Sequence, residues 1–333
     1  MNDAPSLAID RLRSSNWSGS IPILLSLAPN SLSSPTIPPP IHVLLSRHTF
    51  LHIGLQEAVL HLHKFAPPTI SFTRRVVEES DLNSDDDDDD DDDDKAGDGK
   101  SVEKEDAKIQ EQQPMEAPYP VCWFEDETTG LPLRWQYFVG ILWDSHQSTT
   151  QKNGMPWKIR LHFTAYPSSQ LLELDAQSGV ITTVQRTFKN ALKQALVLEH
   201  GHAKVALNMN KQNHQRMWGA IVNSKYSIYK PIKEDIQSTK NPVMIPIRLM
   251  IGPSKPPIQK KWDDPSMTLG QFLVSFAPSY FEATAPGDVV QAKLQITSWR
   301  VAGIVPSLTT PLLDLWRTLC HPDNFLYIMV ITD

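Results

Sequence analysis

Cysteine is nearly absent. Cys122 and Cys320 are the only two in 333 residues, and they lie far apart. That excludes a disulfide framework and a paired-cysteine zinc site, and it suits a reducing compartment. Glycine is sparse too, 14 against 27 prolines, a balance that favours short elements on stiff connections over long helices. A glycine-rich phosphate loop is missing, as is Gly-x-Ser-x-Gly. No apolar run approaches the length needed to span a bilayer; residues 21–28 are apolar but few, and they open on Ile-Pro. The N-terminus carries no basic stretch followed by a long apolar run, so no secretory leader is expected. These absences together describe a soluble, intracellular protein without nucleotide-hydrolysing or serine-hydrolase machinery.

What the chain does have is acid in one place. Residues 78–113 hold 18 acidic and 4 basic residues, including ten consecutive aspartates at 85–94, and the rest of the chain is left at +7 within a total of −7. A run of like charges repels itself and offers nothing to bury, so 78–118 is expected to be a disordered insert, neither a calcium site nor a core element. The mildly basic remainder permits contact with an anionic membrane.

Around the insert the hydrophobic pattern alternates between two periods. Strands are expected at 21–27, 41–45, 69–72, 120–125, 133–140 and 157–163, with a helix at 55–65. In the last of those strands Trp157, Ile159, Leu161 and Phe163 alternate with Lys158, Arg160 and His162, the mark of a half-buried strand. From 187 to about 224 the spacing turns helical, with Phe188, Leu192, Ala195, Leu196 and Glu199 stepping by three and four; Gly201 divides it into two helices. Beyond 242 the first plan returns: strands at 243–250, 290–301 and 325–331, and helices at 268–276, capped by Thr268, and 311–319. The fold class is α+β, with two small ubiquitin-like (β-grasp) domains flanking a helix-rich one. The boundaries read as 1–167 (an N-terminal helix and the first ubiquitin-like domain, interrupted by 78–118), 168–235 and 242–333.

No constellation reads as a catalytic centre. Cys320-His321 resembles a thiol beside a base, but Leu312, Leu315, Trp316, Leu319 and Cys320 share helical spacing, which makes Cys320 a core position; Cys122, among Val121, Trp123 and Phe124, reads the same way. The histidine pairs His61/His63 and His200/His202 lack nearby acids or thiols and read as incidental, not metal-binding. No cofactor is expected. The sequence ends Met329-Val330-Ile331-Thr332-Asp333, without the glycine that a ubiquitin-like donor is activated through, so the final domain is not expected to be a donor.

One family fits these residues in order. Asn16-Trp17 with Ile21-Pro22, Trp123-Phe124-Glu125, Pro132-Leu133-Arg134-Trp135 with Tyr137 and Gly140, Pro156-Trp157-Lys158-Ile159 running into Leu161-His162-Phe163, then His214, Met217 and Trp218, Ile245-Pro246-Ile247-Arg248, Thr268-Leu269-Gly270 and Pro322-Asp323-Asn324-Phe325-Leu326 resemble the autophagy protein 5 family over nearly the whole chain. The aspartate run has no counterpart there. The resemblance implies a non-catalytic scaffold to which the ubiquitin-like autophagy protein 12 is joined covalently through one lysine. The conjugate would bind a helix of the coiled-coil autophagy protein 16 and promote transfer of autophagy protein 8 to phosphatidylethanolamine. It would do so in the cytoplasm and as a peripheral protein of the preautophagosomal membrane, in autophagosome and cytoplasm-to-vacuole vesicle formation, with no nucleic-acid partner.

The family places its acceptor lysine five residues after a phenylalanine, which here gives Phe188 and Lys193. At about 100° per residue, Lys193 points roughly 120° from the apolar stripe; Lys189, one turn away, is the rival. Trp17 is a candidate for the partner-helix groove and equally for the core. Lys204 is a candidate membrane contact, because an unbroken helix would bring it to the side of Lys193. Two readings from other classes stay open: a thiol-dependent ubiquitin-like conjugating enzyme using Cys320, and a ubiquitin-like adaptor outside autophagy.

Overall fold

In β1 (Ser20–Leu27), Ile21, Ile23, Leu25 and Leu27 are buried while the residues between them stay partly covered, as period-two alternation requires. α1 (Asp3–Trp17) leads into it. β2 (Ile41–Ser46) returns antiparallel, with Leu45 opposite Ile21. α2 (Leu51–Gly54) and α3 (Gln56–His63) follow, and Val59 and Leu62 share a core with the buried face of β1. β3 (Trp123–Asp126), α4 (Val139–Ser145) and β4 (Trp157–His162) complete the unit; β4 runs parallel to β1, Trp157 opposite Ile23, and antiparallel to β3. The sheet order is β2-β1-β4-β3. The computed structural model describes residues 3–33, 35–67, 119–146, 154–175, 177–237, 242–259, 264, 266–283, 290–293 and 296–332. The acidic insert and the strand expected at 69–72 lie outside the described residues.

Residues 133–140 do not form the expected strand. Leu133 donates one ladder-like bond to Phe124 O (2.7 Å), after which the chain turns, Tyr137 N–H reaching Arg134 O and Phe138 standing at the start of α4. The alternation of Leu133, Trp135 and Tyr137 comes from a loop that buries all three; the Trp135 indole donates to Leu172 O at 2.9 Å.

Four helices follow. α5 (Val180–His200) begins ahead of the expected 187, because Val180, Thr183 and Val184 extend its buried stripe in β-branched residues that mask the helical signal. It stops where expected: Gly201 takes the left-handed conformation (φ 74°) and its N–H caps Val197 O. α6 (Lys204–Asn208), α7 (Lys211–Val222) and α8 (Tyr226–Ile236) complete the helical region, and the Asn210 side chain caps α7 at Asn213 N–H, 2.7 Å.

The last region repeats the first plan with β5 (Ile247–Ile251), α9 (Leu269–Phe276), the ribbon β6 (Phe281–Ala283) and β7 (Val290–Ala292), β8 (Ile296–Val301), α10 (Leu312–Leu319) and β9 (Leu326–Thr332). Thr268 and Gln271 form a reciprocal capping box at the start of α9. β9 lies centrally, parallel to β5 and antiparallel to β8. The expected strand at 243–250 starts only at Ile247. Val243 and Met244 instead donate their N–H groups to Glu199 O (2.7 Å) and Leu198 O (3.1 Å), the open carbonyls at the end of α5.

β9 is covered on both faces. Leu326, Ile328 and Val330 join Leu273, Leu315 and Trp316 in one core; Tyr327 and Met329, with Phe325 and Met250, join the core that holds Tyr137, Phe188 and the first sheet. No helix among the described residues is long and apolar enough to cross a membrane.

Candidate functional site

Three regions of the chain converge on one small pocket, about 30 Å³ in volume. α1 contributes Arg13 and Trp17, the turn after β2 His48, α8 Tyr229 and Lys233, and the end of α10 Cys320. Trp17 is its aromatic wall, 5% exposed and stacked between His48 (4.9 Å) and Tyr229 (4.5 Å). Trp17 is thus a core residue by burial that also lines the pocket. At the rim, Lys230 donates to Asp10 Oδ2 (2.7 Å) and Tyr226 to Asp10 Oδ1 (2.9 Å), and Arg13 Nε donates to Arg317 O (2.8 Å), tying α1 to the helical region and to α10. Burial, then the Arg47 charge, pushes His48 down to about 3, so the ring is a neutral packing element. His321 meets it edge-on at 5.3 Å, and the Phe138 ring stacks on His321 at 5.6 Å.

Behind the pocket lies a buried polar chain. Lys233 Nζ donates to Asn324 Oδ1, Asn324 Nδ2 donates to Glu199 Oε2 at 2.6 Å, and the Trp316 indole donates to Asn324 O at 2.9 Å. Asn324 takes φ 67°, which asparagine tolerates better than most residues, and its amide supplies both a donor and an acceptor. One residue thereby joins α5, α8 and the loop before β9.

The second site is the outer side of α5. Lys193 is exposed, Phe188 and Leu192 are buried, and Lys189 is half-covered, as the helical phase predicts. The neighbouring Gln194 accepts from Arg248 Nη2 of β5 at 3.3 Å, pinning this turn of helix to the last sheet. α7 packs alongside through Trp218, whose ring lies 5.8 Å from that of Phe188. His214, one turn earlier on α7, is half-buried; burial first, then the Lys189 and Lys193 ammonium groups, lower its pKa. Lys204 is exposed at the start of α6. Because α5 ends at Gly201, the three-turn phase that would bring Lys204 to the side of Lys193 does not operate: the two stand on separate helices.

The thiols sit in packing environments. Cys122 lies 3.7 Å from His52 Nδ1 and 3.8 Å from the Tyr119 hydroxyl; burial pushes the thiol up to about 12 and His52 down to about 3. That is the reverse of an activated thiolate–imidazolium pair. Cys320 ends α10, half-buried, its N–H on Trp316 O. Of the histidine pairs, His200 Nε2 lies 2.9 Å from Ile236 O with the His202 ring 6.0 Å away, and His61 rests on Phe65. Among the described residues no group of three or more His, Cys, Asp or Glu could hold a metal ion.

Sequence reasoning singled out Trp17, which lines this pocket, and not Arg13, His48, Tyr229 or Lys233. They come from segments far apart in the chain and carry no shared period. The one available signal was Pro322-Asp323-Asn324, a polar triplet interrupting an apolar run.

Comparisons with known proteins cover the same ground. Three models of one family match in chain order: Autophagy protein ATG5, UblA domain, over residues 103–163; its alpha-helical bundle region over 181–239; and its UblB domain over 244–330. A protein of Scheffersomyces stipitis named autophagy protein 5 is 27% identical over 232 residues, covering 63% of this chain and 76% of the relative. A Drosophila melanogaster protein of the same name is 26% identical over 220 residues, 62% and 72% of the two chains. The crystal structure of Kluyveromyces marxianus Atg5 superposes with a TM-score of 0.67 over 96% of this chain and 99% of its own, at 18% identity, a likeness of fold.

Proposed function

Because this chain belongs to the autophagy protein 5 family, with two ubiquitin-like domains flanking a helical bundle, we propose that it is a non-catalytic scaffold that receives autophagy protein 12 on Lys193. The exposure of Lys193 carries this reading. It stands outside the apolar stripe of a helix held by α7 on one side and by Arg248 on the other, so its amine is presented from a rigid base. Mass spectrometry of the protein from its own cells should find a glycine-ended branch at Lys193, and Lys193→Arg should abolish the conjugate. A normal yield from that variant would move the acceptor elsewhere, Lys189 first.

The conjugate would bind a helix of autophagy protein 16 at the pocket walled by Trp17. Support comes from the pocket's composition: α1, the first sheet's turn, α8 and α10 all line it, so a helix laid across its mouth would touch all three domains at once. The assembly would then promote lipidation of autophagy protein 8 by stimulating a carrier enzyme, working in the cytoplasm and as a peripheral protein at the preautophagosomal membrane. Lys204, exposed and free of the α5 stripe, would add an electrostatic contact with anionic lipid worth about 1 kcal/mol that salt removes. The buried thiol of Cys122 offers no nucleophile, and replacing both cysteines by serine, which should leave lipidation intact, tests the alternative of a thiol enzyme using Cys320.

A further inference from the structure

The pocket walled by Trp17 carries an unbalanced charge. Arg13, Lys230 and Lys233 line it, and none of its lining residues is acidic. Lys230 already has its counter-charge: Asp10 Oδ2 accepts from its ammonium at 2.7 Å, and Asp10 feels Arg13 more weakly. The other two cations are held by neutral groups. Arg13 donates through Nε (2.8 Å) and Nη2 to one backbone carbonyl, that of Arg317. Lys233, 5% exposed, donates to the Asn324 amide oxygen and stands 5.4 Å from the centre of the Trp316 ring. The acids behind the pocket are engaged elsewhere. Glu199 accepts from the other end of the Asn324 amide, and Asp323 accepts from Tyr327 and faces Arg248 at 3.7 Å. The Trp17 indole N–H, in the wall itself, has no acceptor among the described residues.

A buried cation costs free energy unless a counter-charge and hydrogen bonds meet it. The space to bring one is present. A volume of about 30 Å³ holds about two water oxygens, which is also the room that the two oxygens of one carboxylate need.

We propose that this pocket binds the carboxylate of an acidic side chain carried by the partner helix, with Arg13 as the guanidinium that meets it and Lys233 as the buried charge it offsets. The inference rests on the reading that a helix of autophagy protein 16 lies across this mouth, and it specifies what that helix inserts. A basic side chain would be repelled. An apolar one would strip water from two cations while offering no acceptor to them or to the indole N–H. A free anion offers the acceptor but meets the site only at its bulk concentration, whereas a carboxylate borne on a docked helix is held at the mouth by the helix's other contacts. Recognition then includes a charge requirement: a helix with a matching apolar face but no acid at this position should bind weakly.

The test pairs substitutions on the two sides of the contact. Each Asp or Glu of autophagy protein 16 is replaced in turn by Asn or Gln, and the affinity for the full chain is measured by calorimetry. One such replacement is expected to raise Kd about tenfold or more, the size of a lost charge-assisted hydrogen bond. In Arg13→Gln the unaltered partner should bind with that same weakened affinity, and the decisive replacement should cost little further. Arg13→Lys, which keeps the charge, should recover part of the loss. The partner-side replacements leave this chain untouched, so they decide the question even if Arg13→Gln fails to fold. Hydrogen exchange on the complex separates the two levels of inference. Protection of α1 and α8, with no acid in the partner whose replacement weakens binding, would overturn the carboxylate anchor and leave the docking site standing. Unchanged exchange in both helices would overturn the docking site itself, and the anchor with it. A melting temperature raised by acetate, beside a partner affinity indifferent to every acid, would mark a small-anion site and likewise overturn the anchor.

Discussion

β1 and β9 are both central strands, each paired parallel to one neighbour and antiparallel to the other, yet their surroundings differ. β1 alternates buried and half-covered residues, whereas every residue of β9 from Leu326 to Ile331 is buried. The first sheet has helices on one face and leaves the other partly wet. The last sheet uses its second face as a wall of the main core, against Tyr137 and the helical region. Two copies of one plan therefore do different work: the first is a domain with a surface, the second is a partition. A continuous apolar run instead of alternation is the sequence mark of that difference.

The largest expected effect tests the partition directly. Ile328→Ala and Met329→Ala, on opposite faces of β9, should each cost about 2–5 kcal/mol in chemical denaturation. Leu24→Ala, on the half-covered face of β1, should cost under about 1 kcal/mol. Equal costs at Leu24 and Met329 would erase the comparison. Next comes the polar chain on the wall. Asn324→Ala leaves Lys233 and Glu199 buried without their shared partner and should cost about 3 kcal/mol. Lys230→Ala, at the solvent-screened rim, should shift the denaturation midpoint far less than Asn324→Ala.

Acid sharpens the comparison further. His52 lies inside the first unit and His48 at its contact with the last, and burial holds both folded values to about 3, below the ordinary 6.5. Between those values the unfolded chain binds more protons than the folded one, so stability is complete above the unfolded value and falls as pH drops through the window. Each histidine should remove about 1.4 kcal/mol per pH unit, or about 2 kcal/mol from pH 6.5 to 5. Urea midpoints at the two pH values should converge by that amount in His48→Gln. If only His52→Gln flattens the curve, the contact is wetter than the first unit's interior. The smallest effect is local: Thr268→Ala, which removes one half of the capping box, should lower stability by about 1 kcal/mol.

Much of this architecture was legible in the sequence because it rests on local periodicity. The strand at Trp157–His162, the stop at Gly201 and the cap at Thr268 each follow from a pattern within a few residues. The errors arose where distant segments supplied the reason. Residues 133–140 alternate because a loop is buried, and Val243 and Met244 look like strand yet serve as caps for α5. The same limit applied to the sites. The exposure of Lys193 was legible because it is a phase relation along one helix, whereas the pocket around Trp17 joins four segments that no spacing connects.

The two-sided burial of β9 also bears on how the chain is made. At roughly 5–20 residues per second, about 10–30 s separate the emergence of β4 from that of β9. Throughout that interval the first sheet is present, but the main core lacks Phe325, Tyr327 and Met329. A nascent chain in this state shows chaperones an apolar cleft that closes only when residue 332 has cleared the ribosome, so release of the last strand, and not assembly of the first domain, is the step that ends its exposure.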